Sequence, residues 1–78
     1  MGKNTEIADI FERIANSLDI LEENPFKIRA YRNASRNLRE LAEDLEEIAE
    51  KDELSKIPGI GKDLAEKIRE YIEKGRIK

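Results

Sequence analysis

The chain has 78 residues, 42% of them charged, with no cysteine, histidine or tryptophan and a formal net charge of −3. That length suits one small domain, and the missing side chains exclude disulfides, thiolate or imidazole metal sites, and Ser-His or Cys-His catalysis. No apolar run approaches the roughly 20 residues of a membrane span and there is no signal-peptide pattern, so a soluble intracellular domain is expected, cytoplasmic or nucleoid-associated. The Lys- and Glu-rich composition leans towards a thermophile.

At the N-terminus, Asn4 or Thr5 is placed to cap a first helix. Ile7, Ile10, Phe11, Ile14, Leu18 and Leu21 then recur at steps of three and four, which predicts an amphipathic helix of about five turns. Residues 1–26 sum to −4. Asn24-Pro25 interrupts the pattern, with Asn24 as cap and Pro25 at the first position of a second helix.

On that helix Ala30, Tyr31, Ala34, Leu38 and Leu41 share one face, and Arg29, Arg32, Arg36 and Arg39 fall on the other. Residues 27–39 hold five cations and no acid. A solvated face usually mixes signs, so two readings stand: contact with a nucleic-acid backbone, or pairing with the acidic stretch that follows. That stretch, residues 40–54, sums to −7. It predicts a short helix from Glu43 to Glu50 burying Leu45 and Ile48, then a helical turn at Glu53–Lys56.

Leu54 to Ile72 reads LSKIPGIGKDLAEKIREYI, within a segment, 55–78, that sums to +3. Two short helices flank a Gly-hydrophobic-Gly turn. Gly59 and Gly61 suit a tight reversal and a backbone that must approach a phosphate closely. Gly61 sits at a helix start, where free N–H groups and the positive dipole end seat an anion. Lys62 adds charge beside it, and Ile60 plugs the gap between the helices. Leu64, Ala65, Ile68, Tyr71 and Ile72 form the apolar face of the last helix, which Gly75 ends. The bland alternative is a turn that only reverses the chain. No segment alternates with period two, so the predicted fold is all-α: a compact bundle of four to five short helices, one domain over 1–78.

The hairpin segment resembles a helix-hairpin-helix motif, the non-sequence-specific DNA-binding hairpin. Paired with Asn24-Pro25-Phe26-Lys27-Ile28-Arg29-Ala30-Tyr31-Arg32-Asn33-Ala34, it makes nearly the whole chain similar to the N-terminal domain of family X DNA polymerases. The resemblance implies a domain, expected as a monomer, that grips DNA at a gap or nick and holds the 5′-phosphate. Its DNA-binding positions would be Lys27, Tyr31, Arg32, Lys56, Gly59, Ile60, Gly61 and Lys62. It implies a monovalent cation, Na⁺ or K⁺, on the backbone carbonyls of Ser55, Ile57 and Ile60, and no other cofactor. It also implies a 5′-deoxyribose-phosphate lyase with Lys67 as Schiff-base nucleophile.

Asp63, Phe26 and Ser55 stand where the best-known family member has lysine, histidine and lysine. Asp63 lies four residues before Lys67, a spacing that predicts a helical ion pair. No carboxylate cluster for nucleotidyl transfer is present, so polymerisation is not expected of this chain, which is either an excised domain or a stand-alone relative. A third possibility is a protein-interaction domain using the acidic surface.

Overall fold

The computed structural model describes residues 2–75 as four α-helices and one 3-10 turn, with no strand among them. The helices are α1 (Gly2–Ile20), α2 (Pro25–Arg39), α3 (Leu45–Glu50) and α4 (Lys62–Lys74). The 3-10 turn, Leu54–Lys56, joins α3 to the hairpin. No helix among the described residues is long and apolar enough to cross a membrane.

Start and stop signals account for most boundaries. Asn24 caps α2 as its position suggests, its Oδ1 accepting from Phe26 N–H at 2.8 Å, with Pro25 in the first turn. Gly75 ends α4 in the left-handed region at φ +75°, its N–H donating to the Tyr71 carbonyl at 2.7 Å.

Asn4 behaves differently from the expectation. α1 already runs from Gly2, so Asn4 lies inside the helix. Its side chain serves another helix instead. Nδ2 donates to the Glu43 carbonyl at 2.8 Å, and Oδ1 accepts from Leu45 N–H at 2.9 Å. Asn4 therefore caps α3, whose own N-cap residue Asp44 makes no side-chain cap bond.

α1 ends a little earlier than its apolar pattern. Glu22 turns left-handed at φ +55°, and Glu23 N–H bonds back to the Leu18 carbonyl at 2.9 Å. This is a Schellman ending without the usual glycine. Leu21, expected on the buried face, lies past it and is 68% exposed. α3 ends the same way, with Asp52 at φ +57° and Glu53 N–H on the Ile48 carbonyl at 3.1 Å.

The core is seated where α1 crosses α2. Ile7, Phe11 and Ala15 meet Tyr31, Ala34 and Leu38, all buried. Phe11 and Tyr31 pack edge to face with centroids 5.3 Å apart and planes at 80°. Ser35 Oγ donates to the Ala8 carbonyl at 2.8 Å, so the two backbones approach closely across these small residues. Leu45 and Ile48, then Leu54, Ile57 and Ile60, then Leu64, Ala65 and Ile68 close the same cluster from the other side. Ala30, expected in the core, is exposed. It lies on the flank of α2 that faces α4.

Removing the Asn4 side chain strips partners from a buried N–H and a carbonyl at once. Asn4→Ala is expected to lower stability by about 2 kcal/mol. Urea unfolding should show a lower midpoint at unchanged slope.

Candidate functional site

The hairpin turn is built by residues 57–60. Ile60 N–H donates to the Ile57 carbonyl at 3.0 Å, Pro58 takes the second position, and Gly59 the third at φ +82°. That is a type II turn, which requires a residue free to adopt positive φ at its third position. Ile57 and Ile60 are buried and anchor the turn to the core, while Pro58, Gly59 and Gly61 are exposed.

The two glycines have different reasons. A Cβ on Gly59 would sit 2.6 Å from Asn37 Nδ2 and would need the strained backbone as well. Gly61 has φ −85° and ψ −172°, ordinary extended backbone, and a Cβ there would meet nothing within 4 Å. The fold does not require glycine at 61. Of the two glycines, the reversal therefore requires only Gly59.

Gly61 is also the N-cap of α4 and makes no side-chain cap bond. The first bond of the helix runs from Ala65 N–H to the Gly61 carbonyl at 2.9 Å, so the N–H groups of Lys62, Asp63 and Leu64 precede the ladder. Lys62 is exposed beside them.

Between α2 and α4 lies an open groove of about 650 Å³. Lys27 and Tyr31 line it from α2, and Asp63, Lys67, Glu70 and Lys74 are among those lining it from α4. The structure thus brings three of the expected residues, Lys27, Tyr31 and Lys67, to one place. Tyr31 joins core and groove. Burial, followed by the nearby Asp63 charge, pushes its hydroxyl above the ordinary value of 10.0, so it stays a proton donor at neutral pH. Lys67 is half-buried. The expected Asp63–Lys67 ion pair does not form, and Lys67 has no ion-pair partner among the described residues.

The arginines of α2 divide. Arg39 Nη2 reaches Asp9 at 2.7 Å and Glu12 at 3.0 Å, and Arg32 Nη2 reaches Asp19 at 3.4 Å and Asn16 at 3.1 Å. Their partners belong to α1, not to the acidic α3 segment, because α2 packs along α1 and its cations flank that seam. Arg36 hydrogen-bonds the neighbouring Asn33 side chain at 3.4 Å, and none of Arg36, Lys27 and Arg29 has an ion pair among the described residues. Lys56, the remaining cation of the expected set, pairs with Glu53 at 3.5 Å.

The carbonyls of Ser55 and Ile60 accept no hydrogen bond among the described residues, and that of Ile57 accepts one, from Ile60. Free lone pairs at these three positions fit the oxygen-only coordination a monovalent cation takes. Phe26, one of the departures noted in the sequence, is 76% exposed at the start of α2 and is not part of the core. One feature escaped sequence reasoning. Asn37, which looks like an ordinary polar helix residue, donates from Nδ2 to the Pro58 carbonyl at 2.7 Å.

A family model described as a helix-hairpin-helix domain matches residues 2–77. The chain is 34% identical over 71 residues to DNA polymerase/3′-5′ exonuclease PolX of Bacillus subtilis (strain 168). The match covers 91% of this chain and 12% of that one, so the chain spans a small part of its relative's length.

The glycine asymmetry has a measurable consequence. Gly61→Ala is expected to leave stability within about 0.5 kcal/mol of the original, whereas Gly59→Ala should cost more than about 1 kcal/mol. Chemical denaturation of the two variants side by side reads the difference.

Proposed function

The chain belongs to the helix-hairpin-helix domain family, and from that premise we propose that it binds DNA without reading sequence, gripping backbone and a 5′-phosphate at a gap or nick. The observation that carries this reading is Gly61. A side chain there would fit the free protein, so the glycine is explained by something that must come close. It stands at the start of α4, where N–H groups without helical partners and the positive dipole end favour a phosphate oxygen.

Each part of the site has a task on this reading. The hairpin N–H groups and Lys62 hold one phosphate. Lys27, at the mouth of the groove, supplies a mobile charge to the next, and the Tyr31 hydroxyl donates a hydrogen bond. Arg29 and Arg36, exposed and without an ion pair among the described residues, are available on α2 for further backbone contacts. Arg32 and Arg39 are held to α1 by exposed ion pairs of the kind that contribute little to stability, so exchanging a carboxylate for a phosphate costs little. The cation on the Ser55, Ile57 and Ile60 carbonyls, when bound, adds positive charge beneath the turn.

The name of PolX marks it as a DNA polymerase and exonuclease. Those activities are that longer protein's, and the part this chain matches fits the role of a DNA-holding module. The test is fluorescence anisotropy with 5′-phosphorylated gapped duplex over a salt series. Log affinity should fall linearly with log salt, by roughly 0.9 for each phosphate neutralised, and removing the 5′-phosphate should weaken binding. Gly61→Val should lose most of the affinity while melting near the original temperature. A flat salt response overturns the reading.

A second reading rests on Lys67, half-buried in the groove with Lys27 and Tyr31 and without an ion-pair partner among the described residues. Its amine would attack the open-chain sugar aldehyde at a 5′-deoxyribose phosphate. Water leaves as the Schiff base forms, a proton leaves C2′, and the C3′–O bond breaks to free the DNA strand. Borohydride should then trap the chain covalently on abasic-site DNA, and Lys67→Ala should abolish the adduct. An adduct that survives the substitution removes Lys67 from this role.

A further inference from the structure

We infer that Asn37 is a positioning residue for the hairpin: by holding the Pro58 carbonyl it sets the plane of the Pro58–Gly59 peptide and aims the Gly59 N–H outward, towards the phosphate. The inference rests on the DNA-binding reading for its consequence, and on the turn geometry for its cause.

Turns of types I and II differ by a flip of their central peptide, which here is Pro58–Gly59. Pro58 suits the second position of either type, so it does not choose between them. Asn37 Nδ2 donates to the Pro58 carbonyl at 2.7 Å. In a trans peptide the C=O and N–H point in opposite directions. Drawing the oxygen against α2 therefore turns the Gly59 N–H away from α2, to the exposed side. Gly59 is exposed, and its N–H has no hydrogen-bond partner among the described residues. A flipped peptide would present a carbonyl oxygen to an incoming phosphate instead of a donor.

Two further observations point the same way. Nδ2 occupies the space that a Cβ on Gly59 would fill, 2.6 Å away, so amide and turn are fitted closely to one another. The Asn37 bond is also the only hydrogen bond between α2 and residues 54–75 among those described. It fixes the turn in relation to the helix that carries Lys27, so the two phosphate-binding elements keep one spacing. Asn37 does not itself line the groove.

The test uses the full chain and 5′-phosphorylated gapped duplex, with Asn37→Leu as the variant of similar size that lacks the donor. Affinity should weaken roughly five- to tenfold, the worth of one hydrogen bond, at a melting temperature close to the original. In a Gly61→Val background, where the turn can no longer meet a phosphate, Asn37→Leu should cost nothing more. Unchanged affinity in the single variant overturns the inference. Additive losses in the double variant also overturn it, because Asn37 would then act apart from the hairpin. If Asn37→Leu does not fold, Asn37→Ser is read by the same criteria, and if neither folds Asn37 is a folding residue and the inference fails. Amide ¹H–¹⁵N spectra without DNA give an independent reading. The Gly59 and Ile60 signals should move in Asn37→Leu while those of the distal half of α4 stay, and unmoved signals overturn the inference even if the original chain binds no DNA.

Discussion

The edge-to-face contact of Phe11 with Tyr31 is the hinge on which the site depends. A chain this short buries little surface, and without disulfides its geometry rests on packing alone. Phe11 is fully buried, and Tyr31 lies against it with its hydroxyl end at the groove. The ring that locks α1 to α2 therefore also forms part of the surface facing α4. Ser35 and Ala8, one turn away on each helix, hold the same seam through a buried hydrogen bond. A change in the crossing of α1 and α2 would move Lys27 relative to Lys67 without touching either residue.

That seam also sorts the charge. Arg32 and Arg39 are paired with Asp9, Glu12 and Asp19 of α1, while Lys27, Arg29 and Arg36 make no ion pair among the described residues. The acidic α3 segment takes no arginine from α2. Its own pairs are local or reach α4, as in Lys51 with Glu43 at 3.3 Å and Arg69 with Asp52 at 2.7 Å.

Much of this was legible in the sequence because the signals were local. Asn24-Pro25, Gly75 and the hydrophobic spacing each act within a turn or two, and the helices they mark are present. The hairpin followed from motif spacing, and the gathering of Lys27, Tyr31 and Lys67 from the resemblance to a known family. Where expectation and structure part, the deciding contact is long-range for Asn4, Arg32 and Arg39 and local for Leu21. Asn4 looks like a cap for α1, but its partners are Glu43 and Leu45. The partners of Arg32 and Arg39 depend on how α2 lies along α1, which composition does not encode. Leu21 fits the helical period, yet the left-handed Glu22 ends the helix first. Asn37 had no signal of its own: an isolated asparagine on a charged helix is indistinguishable from a solvated one until Pro58 is seen opposite it.

On the proposed reading, charge along the groove bears on where a phosphate would sit. Its α4 wall alternates Asp63, Glu66, Glu70 and Glu73 with Lys67, Arg69 and Lys74, so it offers mixed charge along most of its length. At the N-terminal end the balance reverses. Lys62 stands at the start of α4, the helix dipole is positive there, and the Gly59 N–H has no partner among the described residues. Asp63 lies in the first turn of α4. It makes no ion pair with Lys67, and its charge falls on Tyr31, whose hydroxyl it helps keep protonated. On the proposed reading a negative ligand is therefore better placed at the start of α4 than along the mixed charges that follow it.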